Sequence, residues 1–317
     1  VARQLELLRT GVAGHTGPWY FHFVVLALGC FPASVFAISA LGRRTVDSAK
    51  LRDFRLWMIL LLIIVVVVFS LVQTKIVHYS SLAYFPITFL AALAITDVER
   101  EGAIFPRYLG FAAGGIGLIW ATVFIALPVI GLMIAHNQLD LSRVARDPFI
   151  RATLAVPVGW SAVDLLVGVA YLVAILYALS VLLRSRDAKR FAWILLGATA
   201  MVVPLALARI APKVERYTQA TPIAFYESLR GCDCYIAPLG FKSYAHLFYA
   251  RIPPERSAGA VGVPPDPYEG WLLSGPIDRP VYFVSKLDRA DRWRDKPGIK
   301  VIGERNGFVF FRRDPPA

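Results

Sequence analysis

The sequence predicts a polytopic α-helical membrane protein of about six transmembrane helices, carrying a small C-terminal α/β extracytoplasmic domain. Three observations carry this expectation. Long apolar runs separated by short charged loops fill the chain up to Ile210. The 317 residues are 57% hydrophobic and only 18% charged, with a mean hydropathy of +0.57, which leaves too little polar surface for a soluble domain of this size. Beyond Ile210 the pattern changes to short β-prone stretches, Pro/Gly turns and mixed charge. The expected organisation is an external juxtamembrane segment over 1–18, a transmembrane region over 19–210 and an α/β domain over 211–317.

The first residues, Arg3-Gln4-Leu5-Glu6-Leu7-Leu8-Arg9, read as an amphipathic helix lying at an interface. The chain opens at Val1 with neither an initiator Met nor a signal peptide, so an N-terminal part is expected to precede it. A transmembrane helix needs about 20 mostly apolar residues. Six segments approach that length: Trp19–Leu41, Leu56–Val72, Leu82–Thr96, Tyr108–Ala135, Val156–Leu183 and Phe191–Ile210. Gly110, Gly114 and Gly117 recur at a spacing that lets a second helix approach closely. Pro32, Pro86, Pro128 and Pro204 fall within or near the ends of these runs, where membrane helices tolerate kinks.

The formal net charge of +12 is read as Lys and Arg loops beside anionic headgroups, with no nucleic-acid partner implied. Arg43, Arg44, Lys50, Arg52 and Arg55 form one basic loop, and Arg184, Arg186, Lys189 and Arg190 another. Arg100 and Arg107 mark a weaker third. Positive-inside placement of these loops puts the N-terminus, the Lys75–Ser81 segment, the Asn137–Thr153 loop and everything after Ile210 outside. Arg143, Arg146 and Arg151 run against that assignment.

In the C-terminal domain, Lys213–Leu229 reads as a helix, Cys232–Pro238 as a strand and Lys242–Tyr249 as a short helix. Pro253–Gly270 reads as a loop, Val281–Ser285 as a strand and Arg289–Arg294 as a helix. Ile299–Gly303 and Gly307–Arg312 are expected to pair around an Arg305-Asn306-Gly307 turn. No glycine-rich phosphate loop and no nucleophile elbow occurs. Cys232 and Cys234 on one face of a strand would lie roughly 6.5–7 Å apart, so both are expected as structural thiols. Cys30 is read as a small core residue.

Chemistry concentrates in two clusters. The first is Phe69-Ser70-Leu71-Val72-Gln73-Thr74-Lys75-Ile76-Val77-His78-Tyr79, where a cation and two hydrogen-bonding rings follow an apolar run. Lys75 is suited to a lipid phosphate, with His78 and Tyr79 as donors; a snorkelling lysine beside an aromatic belt is the competing reading. The second is His15-Thr16-Gly17-Pro18-Trp19-Tyr20-Phe21-His22, which is either the other wall of one pocket or an interfacial aromatic anchor. Asp164, inside the fifth span, is an intramembrane carboxylate and so a functional candidate. Arg209 and Lys213 are read mainly as snorkelling residues. His136, Asp140 and Asp147 match no metal-ligand spacing, and no metal is expected.

At the two clusters the sequence resembles a known family. Phe69-Ser70…Thr74-Lys75-Ile76-Val77-His78-Tyr79…Phe85-Pro86 is similar to a motif of GT-C superfamily membrane glycosyltransferases, in the dolichyl-phosphate-mannose–protein mannosyltransferase and aminoarabinose transferase group. Gly14-His15-Thr16-Gly17-Pro18-Trp19-Tyr20 with Gly29-Cys30-Phe31-Pro32 resembles the segment before a middle helix of those enzymes. The likeness continues through Gly240-Phe241-Lys242-Ser243-Tyr244-Ala245 and Asn306-Gly307-Phe308-Val309-Phe310. Val77 stands where many members have Pro, and nothing matches the half that holds the family's catalytic acids. The resemblance implies the C-terminal part of an inner-membrane enzyme moving a sugar from a polyprenyl-phosphate donor to a lipid (lipid A), protein or glycan acceptor at the periplasmic face. Its implied partners are the bilayer and the N-terminal half of the same enzyme, with no cofactor beyond the lipid-linked donor. Lys75 would hold the phosphate, followed by His78 and Tyr79, with His15, Tyr20 and His22 lining the entrance. The competing functions are a transporter or flippase component and a non-catalytic membrane scaffold.

Overall fold

The computed structural model describes residues 17–42, 48–101, 105–140, 145–257, 260–263 and 268–316. Among the described residues, five helices are long and apolar enough to cross a membrane, or up to six if a bent pair is counted as one span. The chain divides into two compact units, Val1–Ala126 with Leu165–Ala206, and Leu127–Asp164 with Leu207–Ala317.

The membrane-type helices follow the apolar runs, with two corrections. The first run, Trp19–Leu41, is not one helix: α1 (Phe21–Gly29) and α2 (Ala33–Leu41) meet at a bend of 111°. Pro32 sits at the break, where it has no N–H to continue the ladder. The helices α3 (Ala49–Leu71), α4 (Tyr84–Glu101) and α5 (Arg107–Ala135) come next, and a 3₁₀ stretch over Val77–Ala83 leads into α4. Pro148–Leu154 forms a short helix, α6. The run expected over Val156–Leu183 becomes helical only at α7 (Ala162–Ser180), because Pro157 and a left-handed Gly159 (φ +75°) hold the preceding residues out of the helix. Asp164 therefore lies in the first turn of α7. Next comes α8 (Ala188–Arg209).

In the first unit, α2 packs on α4. The buried residues are Val35, Phe36, Ala37 and Ala40 on α2, and Leu90, Ala91 and Ala94 on α4. Phe36, Phe105 and Phe191 form a triangle with ring centroids 5.2, 5.5 and 6.2 Å apart. The glycine spacing does what it predicts: Gly110, Gly114 and Gly117 of α5 receive Leu182, Leu179 and Ile175. The outer face of α3 leaves Leu56, Trp57, Leu60, Ile63, Ile64, Val67, Val68 and Leu71 exposed. An apolar face of that extent suits lipid and not water.

In the second unit the helix expected over Lys213–Leu229 is two, α9 (Ala211–Thr218) and α10 (Ala220–Ser228). Pro222 cannot donate to the carbonyl of Thr218, so the ladder stops there. The strands are β1 (Tyr235–Leu239), β2 (Val281–Lys286), β3 (Ile299–Arg305) and β4 (Phe308–Arg313), in the order β1-β2-β4-β3. β1 and β2 are parallel; β4 is antiparallel to β2 and to β3. Between β1 and β2 lie α11 (Ala245–Tyr249) and α12 (Tyr268–Ser274), the latter starting inside the expected loop; α13 (Leu287–Arg294) follows β2. The hairpin turns at Asn306 and Gly307 as the sequence predicts, with φ of +50° and +80°.

Side chains alternate across the sheet. Tyr235, Ala237, Leu239, Val281, Phe283, Val309 and Phe311 join Leu272 and Trp293 in one core. Ile236, Val284, Phe308 and Phe310 join Cys234, Tyr226 and Ala250 in another. Cys232 and Cys234 are joined in a disulfide, not free as expected. The strand begins only at Tyr235, and a bend at Asp233 brings the two Cα atoms to 5.4 Å.

Candidate functional site

Two groups of polar residues stand out, one in each unit. The first forms where α3 ends. A helix leaves its last four carbonyls without intrahelical partners, and they carry its negative pole. Here the chain turns back after Val72 so that Lys75 Nζ donates to the carbonyl oxygens of Phe69 at 3.0 Å and Ser70 at 2.8 Å. The same device recurs on α2, where Arg55 donates to the carbonyls of Ala40 (2.6 Å) and Leu41 (3.1 Å). Arg55 reaches out from an exposed stretch, whereas Lys75 is only 6% exposed. Burial pushes its pKa below the ordinary lysine value. Among the described residues no carboxylate lies within ion-pair distance of it.

Phe69 is the hub of this cluster. His22 packs against it at 5.9 Å and Tyr79 at 5.6 Å, while His78 stands edge-on to Tyr79 at 5.3 Å. His22 is fully buried, and neither of its ring nitrogens has a hydrogen-bond partner. Gly17 lies against the stem of Lys75 so closely that an added Cβ would come within 2.9 Å of Lys75 Cγ. The structure thus brings Lys75, His22, His78 and Tyr79 together and adds Gly17. Tyr20 stands apart, half exposed and edge-on to the exposed Trp19 at 5.8 Å. His15 lies outside the described residues.

The second group centres on Asp164, which is fully buried. Its Oδ2 accepts from the Ser161 backbone N–H at 2.8 Å, from Ser161 Oγ at 3.0 Å and from Lys213 Nζ. Arg209 lies 3.4 Å from Oδ1. Lys213 also donates to the Gly159 carbonyl at 3.0 Å and sits 5.3 Å from the centre of the Trp160 ring, whose N–H donates to Tyr217 Oη at 2.8 Å. Arg209 and Lys213 are therefore partners of Asp164 rather than snorkelling side chains. Every component was visible in the sequence, but nothing there linked a carboxylate to cations more than forty positions away. Asp147, weighed in the sequence as a metal ligand, caps α6 by accepting from the Phe149 N–H at 2.8 Å. Among the described residues no three His, Cys, Asp or Glu side chains converge as metal ligands would.

No protein-family model matches the chain, and no curated protein does. Two solved structures do. ArnT from Cupriavidus metallidurans bound to undecaprenyl phosphate superposes with a TM-score of 0.55 at 17% identity, over 98% of this chain and 54% of that one. The apo state of the same protein gives 0.51 at 17% identity, over 94% and 52%. The chain thus shares the membrane fold of that protein and spans about half its length.

Proposed function

We propose that the chain is the C-terminal part of a membrane glycosyltransferase that moves a sugar from a polyprenyl-phosphate donor to an acceptor at the periplasmic face of the inner membrane. The observation that carries this reading is Lys75, a buried cation with no described carboxylate partner, held beside hydrogen-bonding rings at the end of an apolar helix. An ammonium has three donors. Two are committed to the Phe69 and Ser70 carbonyls, which fix its position, and the third is left for a phosphate oxygen. The fold shared with a protein crystallised on undecaprenyl phosphate supports the same ligand class.

In the proposed reaction the bond between the sugar's anomeric carbon and the donor phosphate breaks as the acceptor oxygen bonds to that carbon. The phosphate gains negative charge, which the fixed Lys75 ammonium stabilises, with His78 and Tyr79 as further donors. The acceptor's proton passes to an acidic side chain expected outside this chain, in the N-terminal half. His22, and by position Tyr20 and His15, would border the donor's path. The acceptor is a lipid, a protein or a glycan.

Polyprenyl-phosphate binding to the detergent-purified chain, followed by native mass spectrometry, tests the reading. Lys75→Ala is expected to weaken binding by at least about tenfold, the share of one charge-assisted hydrogen bond. Undiminished binding by that variant would remove Lys75 from the site.

A further inference from the structure

A cavity of about 530 Å³ opens in the second unit, in the size range of small-ligand sites. It lies at the C-terminal ends of the parallel strands β1 and β2: Phe241 to Ser243 follow β1, and Lys286 closes β2. Ligands of open α/β sheets bind at that end of parallel strands. The junction of α9 and α10 and one face of α6 complete the lining.

Three features define what would fit. First, the lining holds two ammonium groups, Lys242 and Lys286, and no carboxylate. Lys242 is exposed. Lys286 is held 4.7 Å from the Phe149 ring and 5.9 Å from Phe241, contacts that position a cation without neutralising it. Second, Tyr226 is 1% exposed, forms part of the lining, and its hydroxyl has no hydrogen-bond partner. A buried hydroxyl without a partner costs free energy that a ligand hydroxyl or anion would recover. Third, the remaining lining combines aromatic faces and aliphatic side chains such as Ile150, Leu154 and Ile223 with short polar groups such as Gln219 and Ser243. A largely apolar wall with a few hydroxyls, one amide and two ammonium groups suits a ring that carries C–H groups on its faces and hydroxyls on its rim.

We infer that this cavity is a binding site for an acidic saccharide, a sugar ring bearing a carboxylate or phosphate held between Lys242 and Lys286. It rests on the glycosyltransferase reading only in so far as the saccharide is taken to belong to the acceptor. Binding itself requires no donor and none of the residues around Lys75.

The test is saturation-transfer NMR on the full chain in detergent. Galacturonic acid and glucose 6-phosphate are the probes, with glucose as the uncharged control and glycerol 3-phosphate as a fragment of a lipid headgroup. Ring protons of both acidic sugars are expected to receive saturation. Glucose and glycerol 3-phosphate should bind about tenfold more weakly, since each lacks one of the two recognition elements. Lys242→Gln, at an exposed position that leaves the fold untouched, should weaken the acidic sugars several-fold, and Lys286→Gln and Tyr226→Phe should each do the same at an unchanged melting temperature. No transfer to either acidic sugar, equal binding of glucose or of glycerol 3-phosphate, or indifference to all three substitutions would overturn the assignment. Lys75→Ala should leave sugar binding intact, so this site and the polyprenyl-phosphate reading can fail separately.

Discussion

Lys213 donates its ammonium to the Asp164 carboxylate, joining the first turn of α9 to the first turn of α7. The carboxylate is fully buried while Lys213 is 18% and Arg209 48% exposed, so the pair is asymmetric: the acid depends on its cations more than they depend on it.

Removing one partner of a buried pair costs more than removing both. Lys213→Met should therefore destabilise the chain by about 3 kcal/mol, while Lys213→Met combined with Asp164→Leu should recover much of that loss. Thermal unfolding of the three detergent-purified proteins decides it. Equal melting temperatures for wild type and Lys213→Met would mean that the pair contributes nothing.

The glycines of α5 and α7 differ in what surrounds them. A Cβ on Gly168 would meet backbone atoms of α5, Ile125 N at 2.7 Å and Phe124 C at 2.8 Å, which cannot move aside. Gly115 faces open space. Gly168→Ala should cost about 1–3 kcal/mol through overpacking, whereas Gly115→Ala should be neutral or gain about 0.5–1 kcal/mol from helix propensity. The order of the two melting temperatures is the readout.

Burial holds the His246 pKa down at about 4, from an ordinary value of 6.5. Its Nδ1 has no hydrogen-bond partner, and its ring lies 6.0 Å from that of Tyr226. Below about pH 6.5 the unfolded chain takes up a proton that the folded chain refuses, so stability falls as pH drops and the loss is complete near pH 4. The expected loss is on the order of 2 kcal/mol across that window. His246→Leu should remove this part of the acid sensitivity, measured as the difference between the two proteins' unfolding curves at pH 7 and pH 4.5.

Gly307 occupies φ +80°, and an added Cβ would also come within 3.1 Å of Phe149 Cδ2 and Thr153 Cγ2. Gly307→Val should cost about 2 kcal/mol, combining the left-handed penalty with the contact, and should broaden the NMR signals of the β3–β4 hairpin.

Apolar runs revealed most of the membrane helices because burial in lipid is written into composition. The alternation of Phe308, Phe310 and the residues between them, together with Asn306-Gly307, made the hairpin legible. The break between α1 and α2 was hidden because both halves are equally apolar, so hydropathy cannot separate one helix from two around Pro32. The site was legible in part. Lys75, His78 and Tyr79 are close in sequence, and His22 sits in an aromatic cluster noted for its own sake. Their meeting on Phe69, the partners of Asp164 and the cavity beside Lys286 all join distant segments, and local pattern carries no information about which segments fold together.

The seam between α5 and α7 has a consequence for how the chain is made. A ribosome finishes Gly110, Gly114 and Gly117 well before it reaches Ile175, Leu179 and Leu182. During that interval the flat glycine strip of the emerging helix lacks the side chains that fill it in the finished fold. The seam can close only once the chain has been made through Leu182, so its completion waits on translation of that later segment.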